Sequence, residues 1–473
     1  MPSNHRSDQK QCDVLESSKV KFVRLLFVDF AGIRRCRVCP IHRWGGVTED
    51  GIGLTMATVA MPAWGDFCAQ GAGFGPVGEI RLTPAPNGFL KALPWHPGHA
   101  IAASGFYLRE PSVRAPLRDF PWLCCPRAAL AKVLDLAQSK FGFTFRVGYE
   151  SEFMLLHRLE PGSQPPFRPV DNSVYSQSSA FDAMAPVLDD MVAAVDPLNV
   201  EQLHAESGPG QFEIVTGHKE AMEATDALLY TREAICAVAA KHKLTASFLP
   251  KLSTTTAGSG AHLHISIMKD GRNLFEGFSQ GSGPTPAPEE AFLAGILHHM
   301  PALQTFTTPS PLSYERLQPG CWSGAYQVWG VNNREAPLRL CSDAHGEPNN
   351  AEYKTLDATA NPYLALAVLI IAGLEGINQQ RRLPEPTSVD PGNLEESERK
   401  QRGIKLLCTT LRQSLDAFTA DAELRNAVTG ILGAPLVQAF LAVRASELSW
   451  YSGFTGTPAE IVDQAAAQLY DRY

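Results

Sequence analysis

The sequence predicts an α+β chain built from a small β-rich N-terminal part and a large C-terminal part of alternating strands and helices. Three observations predict it. Residues 20–40 alternate apolar and polar side chains about a turn at Ala31-Gly32, which reads as two short strands. GEIRLTPAP and HAIAASGFY read as further strands before Arg114. Pro126 then opens the helical run RAALAKVLDLAQSKFG, with proline where a first turn tolerates it, and strands and helices alternate from there on.

Taken in order, residues 1–18 read as a mobile polar tail, 19–114 as the β-rich domain and 115–473 as the second domain. Two stretches within the second domain, Gly277–Glu290 and Arg381–Arg402, read as loops from their Gly, Ser, Pro and charge content. The Gly71–Gly75 run is no dinucleotide fingerprint, because Pro76 follows and no strand–glycine–helix context surrounds it. Neither a Walker A sequence nor a G-x-S-x-G elbow occurs, and internal repeats are absent.

Composition narrows the function. The 473 residues are 44% hydrophobic and 19% charged, which supports a sizeable core. A formal charge of −8, without a basic stripe, argues against nucleic-acid binding. The longest uncharged apolar stretch, Tyr363–Leu374, is shorter than the roughly 20 residues of a membrane span. The polar start MPSNHRSDQKQCD has no apolar signal region. Ten cysteines are too dilute for a disulfide scaffold, and Cys36-x-x-Cys39 reads as ordinary strand cysteines. A cytoplasmic protein is expected.

Four segments carry the chemistry. In FRVGYESEFMLL, Glu150 and Glu152 share one strand face amid apolar neighbours. Paired carboxylates repel unless a cation lies between them, so metal binding competes here with a solvated strand edge. In HAESGPGQFEIV, Glu206 and Glu213 flank a turn that pairs two strands; a surface hairpin reads equally well. In AGSGAHLHISI, His262 and His264 alternate behind a glycine-rich turn, a pattern also shown by satisfied core histidines. In NNAEYKTLDATANPY, Asn350, Glu352 and Lys354 share a face before an Asn-Pro helix start. Arg316, Arg334 and Arg339 add planar donors suited to carboxylate or phosphate. Glutamate-rich ligands favour Mg²⁺ or Mn²⁺ over zinc, and carboxylate-held magnesium facing arginines suits phosphoryl transfer.

In this order and spacing the segments resemble the glutamine synthetases of the type I branch, over roughly residues 20–473. The matches are E-x-E at Glu150–Glu152, E…GPGQ-x-E at Glu206–Glu213, GSG-x-H-x-H at Gly258–His264, S-Y-x-R-L-x-P-G at Ser313–Gly320 and ANPYL at Ala360–Leu364. The resemblance implies a β-grasp N-terminal domain and a catalytic domain of the glutamine synthetase/guanido kinase type. It implies two metals per subunit, one on Glu152, Glu206 and Glu213, the other on Glu150, His262 and Glu352. It further places His264 and Ser266 at the nucleotide, Arg316 at the substrate carboxylate, and Arg334 and Arg339 at the transferred phosphoryl group, with Gly258, Trp322 and Lys354 lining the substrate end. A ring homo-oligomer of ten or twelve subunits is also implied.

Departures from the pattern point to the substrate. The family's ammonium-binding aspartate falls in Leu54–Thr58, which holds no carboxylate, and its flap glutamate is replaced by Trp322. The late R-x-E-x-R becomes Asn350–Lys354, and an asparagine before the G-S-G becomes Ala257. The adenylylated tyrosine has no match in RRLPEPTSVDP. The expected activity is therefore an ATP-dependent carboxylate–amine ligase that forms a γ-glutamyl or related amide through an acyl phosphate, with an organic amine in place of ammonia. Ordinary glutamine synthesis and a catalytically silent assembly or signalling protein on the same fold are the alternatives.

Overall fold

The computed structural model describes residues 14–86, 88–108, 117–281 and 283–473. The expected boundary near Arg114 and most of the expected N-terminal tail lie outside them. Part of the stretch read as a tail is packed: Leu15 is buried against Val20, Val23, Ala100 and Ala102.

Strands β1 (Phe22–Val28), β2 (Arg34–Pro40), β3 (Ile52–Thr55), β4 (Glu79–Pro84), β5 (Leu90–Ala92) and β6 (His99–Tyr107) form the first sheet. Its order is β2-β1-β6-β4-β3, with β5 also on β6. Only β1 and β6 pair in parallel among these strands, a crossover that a plain meander lacks.

The second sheet contains β7 (Phe143–Arg158), β8 (Phe167–Pro169), β9 (Val200–Ala205), β10 (Gln211–Thr216), β11 (Lys219–Glu220), β12 (Thr245–Ser247), β13 (Leu263–Lys269), β14 (Arg272–Asn273), β15 (Trp329–Val331), β16 (Leu338–Ser342) and β17 (Pro348–Tyr353). Its main path runs β15-β16-β17-β13-β7-β10-β9. Along β7 the odd positions Phe145, Val147, Tyr149 and Phe153 are buried in the core. The even positions 146, 148, 150 and 152 therefore share the opposite face. Period-two alternation thus puts both glutamates of E-x-E on one surface.

The core between sheet and helices is centred on helix Pro362–Asn378, which is apolar and buried almost all round. It packs against helix Pro288–Thr307 at glycine contacts: a Cβ on Gly295 would lie 2.2 Å from the Ala372 carbonyl oxygen. Asn361 caps the central helix by accepting from the Tyr363 and Leu364 amides, and its Nδ2 donates to the Val28 and Asp29 carbonyls. The motif asparagine therefore ties the catalytic core to the first sheet. The C-terminal helices complete that tie. Arg444 donates to the Phe30 carbonyl, Glu447 accepts from the Ala63 amide, and the Tyr473 hydroxyl donates to the Ala31 carbonyl.

The stretch Arg381–Arg402 is less irregular than its composition suggests. A 3-10 turn forms at Pro391–Asn393 and a short helix at Glu396–Gln401, with acidic residues in its first turn and basic ones in its last. No single helix among the described residues is long and apolar enough to cross a membrane.

Candidate active site

Two rows of side chains run across the polar face of the second sheet. In the first, Glu152 on β7 pairs in register with Glu213 on β10, which pairs in turn with His204 on β9. In the second, His264 on β13 pairs with Glu352 on β17, which pairs with Arg339 on β16. Glu150 joins the rows: its Oε2 lies 2.7 Å from His262 Nδ1 and its Oε1 3.0 Å from His264 Nε2.

Ligand-type atoms of Glu150, His262 and Glu352 all lie within 4.8 Å of one another, as do those of His204, Glu206 and Glu213. The first trio is the set that the family resemblance implies. The second differs: His204 takes a place beside Glu206 and Glu213, with its Nε2 2.8 Å from Glu206 Oε1. Glu152 sits between the two groups. Its Oε2 accepts from the Gly260 amide and Gln211 Nε2, and its Oε1 is 3.5 Å from His262 Nε2. His204 escaped the sequence reading, although the spacing His204-x-Glu206 is the same strand-face signal used for Glu150 and Glu152.

The electrostatics call for cations. Burial, reinforced by Glu150, Glu152 and Glu206, pushes Glu213 up to about 10. Burial also raises Glu152, against the pull of His262. Burial works against ionised Glu150 too, but hydrogen bonds from His262 and His264 outweigh it and hold its carboxyl well below the usual range. Glu352 Oε2 is buried without a hydrogen bond, although Arg339 Nε stands 2.7 Å away. Crowded carboxylates with spare lone pairs suit hard divalent cations.

Gln211, the glutamine of the G-P-G-Q turn, fixes the loop beside these groups. Its Nε2 donates to the Gly258 carbonyl and to Ser259 Oγ. Gly258 has no room for a side chain: a Cβ would lie 2.5 Å from the Pro250 oxygen and 2.6 Å from Arg316 Cγ. Arg316 is buried, with one guanidinium nitrogen donating to the Lys354, Thr355 and Leu356 carbonyls and its Nε unpartnered. Lys354 Nζ is 3.3 Å from Glu352 Oε1.

Beside Glu150 and His264 opens a cavity of about 1000 Å³, lined also by Ser266, Arg146 and Asn350. Ser266 donates to the Asn349 carbonyl and His264 Nδ1 lies 2.8 Å from Asn350 Oδ1. Arg334 is not drawn in: it lies exposed on the loop between β15 and β16, whereas Arg339 contacts Glu352. Trp322 is 59% exposed on a tight turn, at φ 52°, and its amide donates to Glu335 Oε1.

A mixed sheet that gathers five carboxylates and three imidazoles on one face beside a large cavity frames a site suited to charged substrates and able to take divalent cations. The chain belongs to the glutamine synthetase family: the glutamine synthetase catalytic domain matches residues 123–460 and the glutamine synthetase N-terminal domain residues 9–114. It is 34% identical over 449 residues to a gamma-glutamylpolyamine synthetase of Streptomyces coelicolor, covering 93% of this chain and 92% of that one. To a glutamine synthetase of Methanocaldococcus jannaschii it is 30% identical over 451 residues, covering 93% and 94%. A crystal structure described as a novel glutamine synthase homolog superimposes with a TM-score of 0.77 at 27% identity, covering 95% of this chain and 99% of that one. The chain is accordingly an ATP-dependent ligase, in a family whose members use ATP and divalent metals.

Proposed function

We propose that this ligase joins the γ-carboxylate of glutamate to an organic amine, with Mg²⁺ or Mn²⁺ held at two places per subunit. The observation that carries the amine is Trp322, whose exposed indole stands where the family has a flap glutamate. The stretch Leu54–Thr58, matching the ammonium-binding segment, is also without charge. Similarity to a relative named for polyamines supports the same reading.

Glu206, Glu213 and His204, with Glu152 beside them, would hold one metal; Glu150, His262 and Glu352 would hold the other. Bound there, divalent cations supply charge neutralisation and orientation for the transferring phosphoryl group. His264 and Ser266 line the cavity into which the nucleotide would enter. Arg316, wedged against Gly258, orients the amino-acid end through its remaining donors, with Lys354 beside it. Arg339, and Arg334 from its loop, would meet the phosphoryl oxygens. The glutamate carboxylate attacks the γ-phosphorus of ATP and ADP leaves. The alkylammonium gives up a proton to solvent, and the neutral amine attacks the acyl carbon. The C–O bond to phosphate breaks, and the second amine proton leaves with the phosphate as the amide forms. Activation is needed because a free carboxylate is a poor acyl donor at neutral pH.

The same reading includes a cytoplasmic ring of ten or twelve subunits, with a domain division near residue 114 and the N-terminal sheet of one subunit closing the site of the next. Light scattering should report that ring; a stable, active monomer contradicts it. The activity is tested with purified full-length protein, MgATP and glutamate, by phosphate release with ammonium, methylamine, putrescine, spermidine and an aromatic amine. Release with an organic amine well above that with ammonium is expected. Equal or better use of ammonium, or no release with any amine, overturns the reading.

A further inference from the structure

Away from the catalytic face, helix Pro288–Thr307 meets the start of helix Ala422–Leu432 at a cluster that the ligase chemistry does not use. His299 has 0% side-chain exposure, and its Nδ1 lies 2.6 Å from Asp421 Oδ2. Asp421 is itself fixed, because its Oδ1 caps the second helix by accepting from the Leu424 amide. A carboxylate on Nδ1 places the proton there and leaves the Nε2 lone pair free. That Nε2 is buried with no hydrogen-bond partner, and so is Glu423 Oε1, 3.8 Å away. The other Glu423 oxygen is held by Arg381. His298 stands at the mouth of the cluster, its ring centroid 4.7 Å from that of His299.

We propose that His298, His299 and Glu423 form an additional divalent-metal site of the zinc type. Ligand-type atoms of the three lie within 4.8 Å of one another. A protonated imidazole donating to Glu423 would close to about 2.7–2.9 Å. Two ligands on tetrahedral zinc, each bonded at about 2.0–2.1 Å, stand roughly 3.3–3.5 Å apart. The observed separation is nearer the second arrangement and too long for the first. Asp421 and Glu423 bring two carboxylates to the cluster, against Arg381 within it and Arg382 and Lys405 along the adjoining cavity. Two imidazoles with one carboxylate select zinc-like metals over magnesium. The fourth position would face the cavity of about 440 Å³ lined by His298, Arg381, Arg382 and Lys405, whose positive lining suits water or a small anion as the remaining ligand.

The test uses chelator-stripped full-length protein with Mg²⁺ in excess to occupy the catalytic face. Co²⁺ is titrated by visible absorption and Zn²⁺ by metal analysis after gel filtration. Wild type should take one Zn²⁺ beyond the catalytic sites and give tetrahedral cobalt bands. His298→Ala, an exposed position that spares the core, and Glu423→Gln should each weaken that binding about tenfold or more. Glu352→Gln, which alters only the catalytic face, should leave it unchanged. Equal zinc affinity and stoichiometry in wild type, His298→Ala and Glu423→Gln, or no tetrahedral cobalt signal, overturns the proposal.

Discussion

Glu213 stands directly across from Glu152 on adjacent antiparallel strands, and both carboxylates are buried. Like charges placed opposite one another destabilise a sheet, and among the described residues no lysine or arginine forms an ion pair with either. The structure settles this by proton uptake: Glu213 is pushed up to about 10 by burial and its acidic neighbours.

Metal-free protein should therefore be less stable than its side-chain packing would allow. A carboxyl whose folded pKa is raised contributes stability below its unfolded value and loses it as pH rises towards the folded value. At pH 8 the unfolded chain has ionised Glu213 and folding must take up a proton. Glu213→Gln removes that cost, so the metal-free variant should melt above metal-free wild type, by an amount on the order of 1 kcal/mol or more. The same variant should lose most of the Mn²⁺-induced rise in melting temperature. Equal Mn²⁺ stabilisation in both proteins counts against Glu213 as a ligand.

A second pH effect belongs to the seam between the first sheet and the C-terminal helices. Burial raises Asp29 to about 6, against Arg35, and raises Glu447 to about 7, against Arg444 and the Ala63 amide. Both folded values lie above the ordinary carboxylate range. Stability from this seam is thus full near pH 4 and falls as pH climbs through 6 and 7, with a limiting slope of about 1.4 kcal/mol per pH unit for each group. Glu447→Gln keeps an oxygen acceptor for Ala63 and should flatten the decline between pH 5 and 8. Urea melts across that range check it; an unchanged slope refutes the assignment.

Much of the site could be read from the chain because its signals are local. Glu150 and Glu152 are two residues apart on one strand, and Glu206 and Glu213 flank one turn. His204 shares a two-residue spacing with Glu206, but its place opposite Glu213 is set by the register of a third strand, and register is a tertiary property. Arg316 was legible as a residue but not in its surroundings, since three backbone carbonyls that engage it arrive from 354–356. The seam at Asp29, Arg444 and Glu447 joins residues about 400 apart in sequence, and no pattern in either segment announces the other.

The glycines of the two core helices should tolerate nothing larger. A Cβ on Gly376 would lie 2.1 Å from the Ala291 oxygen, and one on Gly295 2.2 Å from that of Ala372. Backbone carbonyls on both sides cannot step aside, so Gly295→Ala should cost roughly 1–3 kcal/mol or more through helix separation. Gly430, also helical, has open space around it and no left-handed backbone. There Gly430→Ala should stabilise by about 0.5–1 kcal/mol. Thermal denaturation of the pair should give shifts of opposite sign, and the same sign in both would refute the packing account.

The last prediction concerns how Trp322 selects the amine. Its backbone is left-handed, uncommon for a bulky residue, and lies between Gly320 at φ 72° and Gly324 at φ 79°. Glu335 holds that turn by accepting from the Trp322 amide at 3.0 Å, which leaves the indole projecting as 59% exposed surface. An exposed indole face attracts an alkylammonium by about 0.5–1 kcal/mol, and by about 2 when water is excluded. Each methylene buried against it adds roughly 0.8 kcal/mol. Together these exceed the 1.4 kcal/mol that makes a tenfold difference, so Trp322→Ala should raise KM for the preferred organic amine about tenfold or more. KM for glutamate and for ATP should move little, because the proposed contacts to those groups come from other residues. Trp322→Glu should shift preference towards ammonium, since a carboxylate can replace the water that a small cation loses and accept its proton. Initial rates over a range of amine and ammonium concentrations measure both effects. An unchanged amine KM in Trp322→Ala would mean that the indole only covers the turn, and the amine is chosen elsewhere in the site.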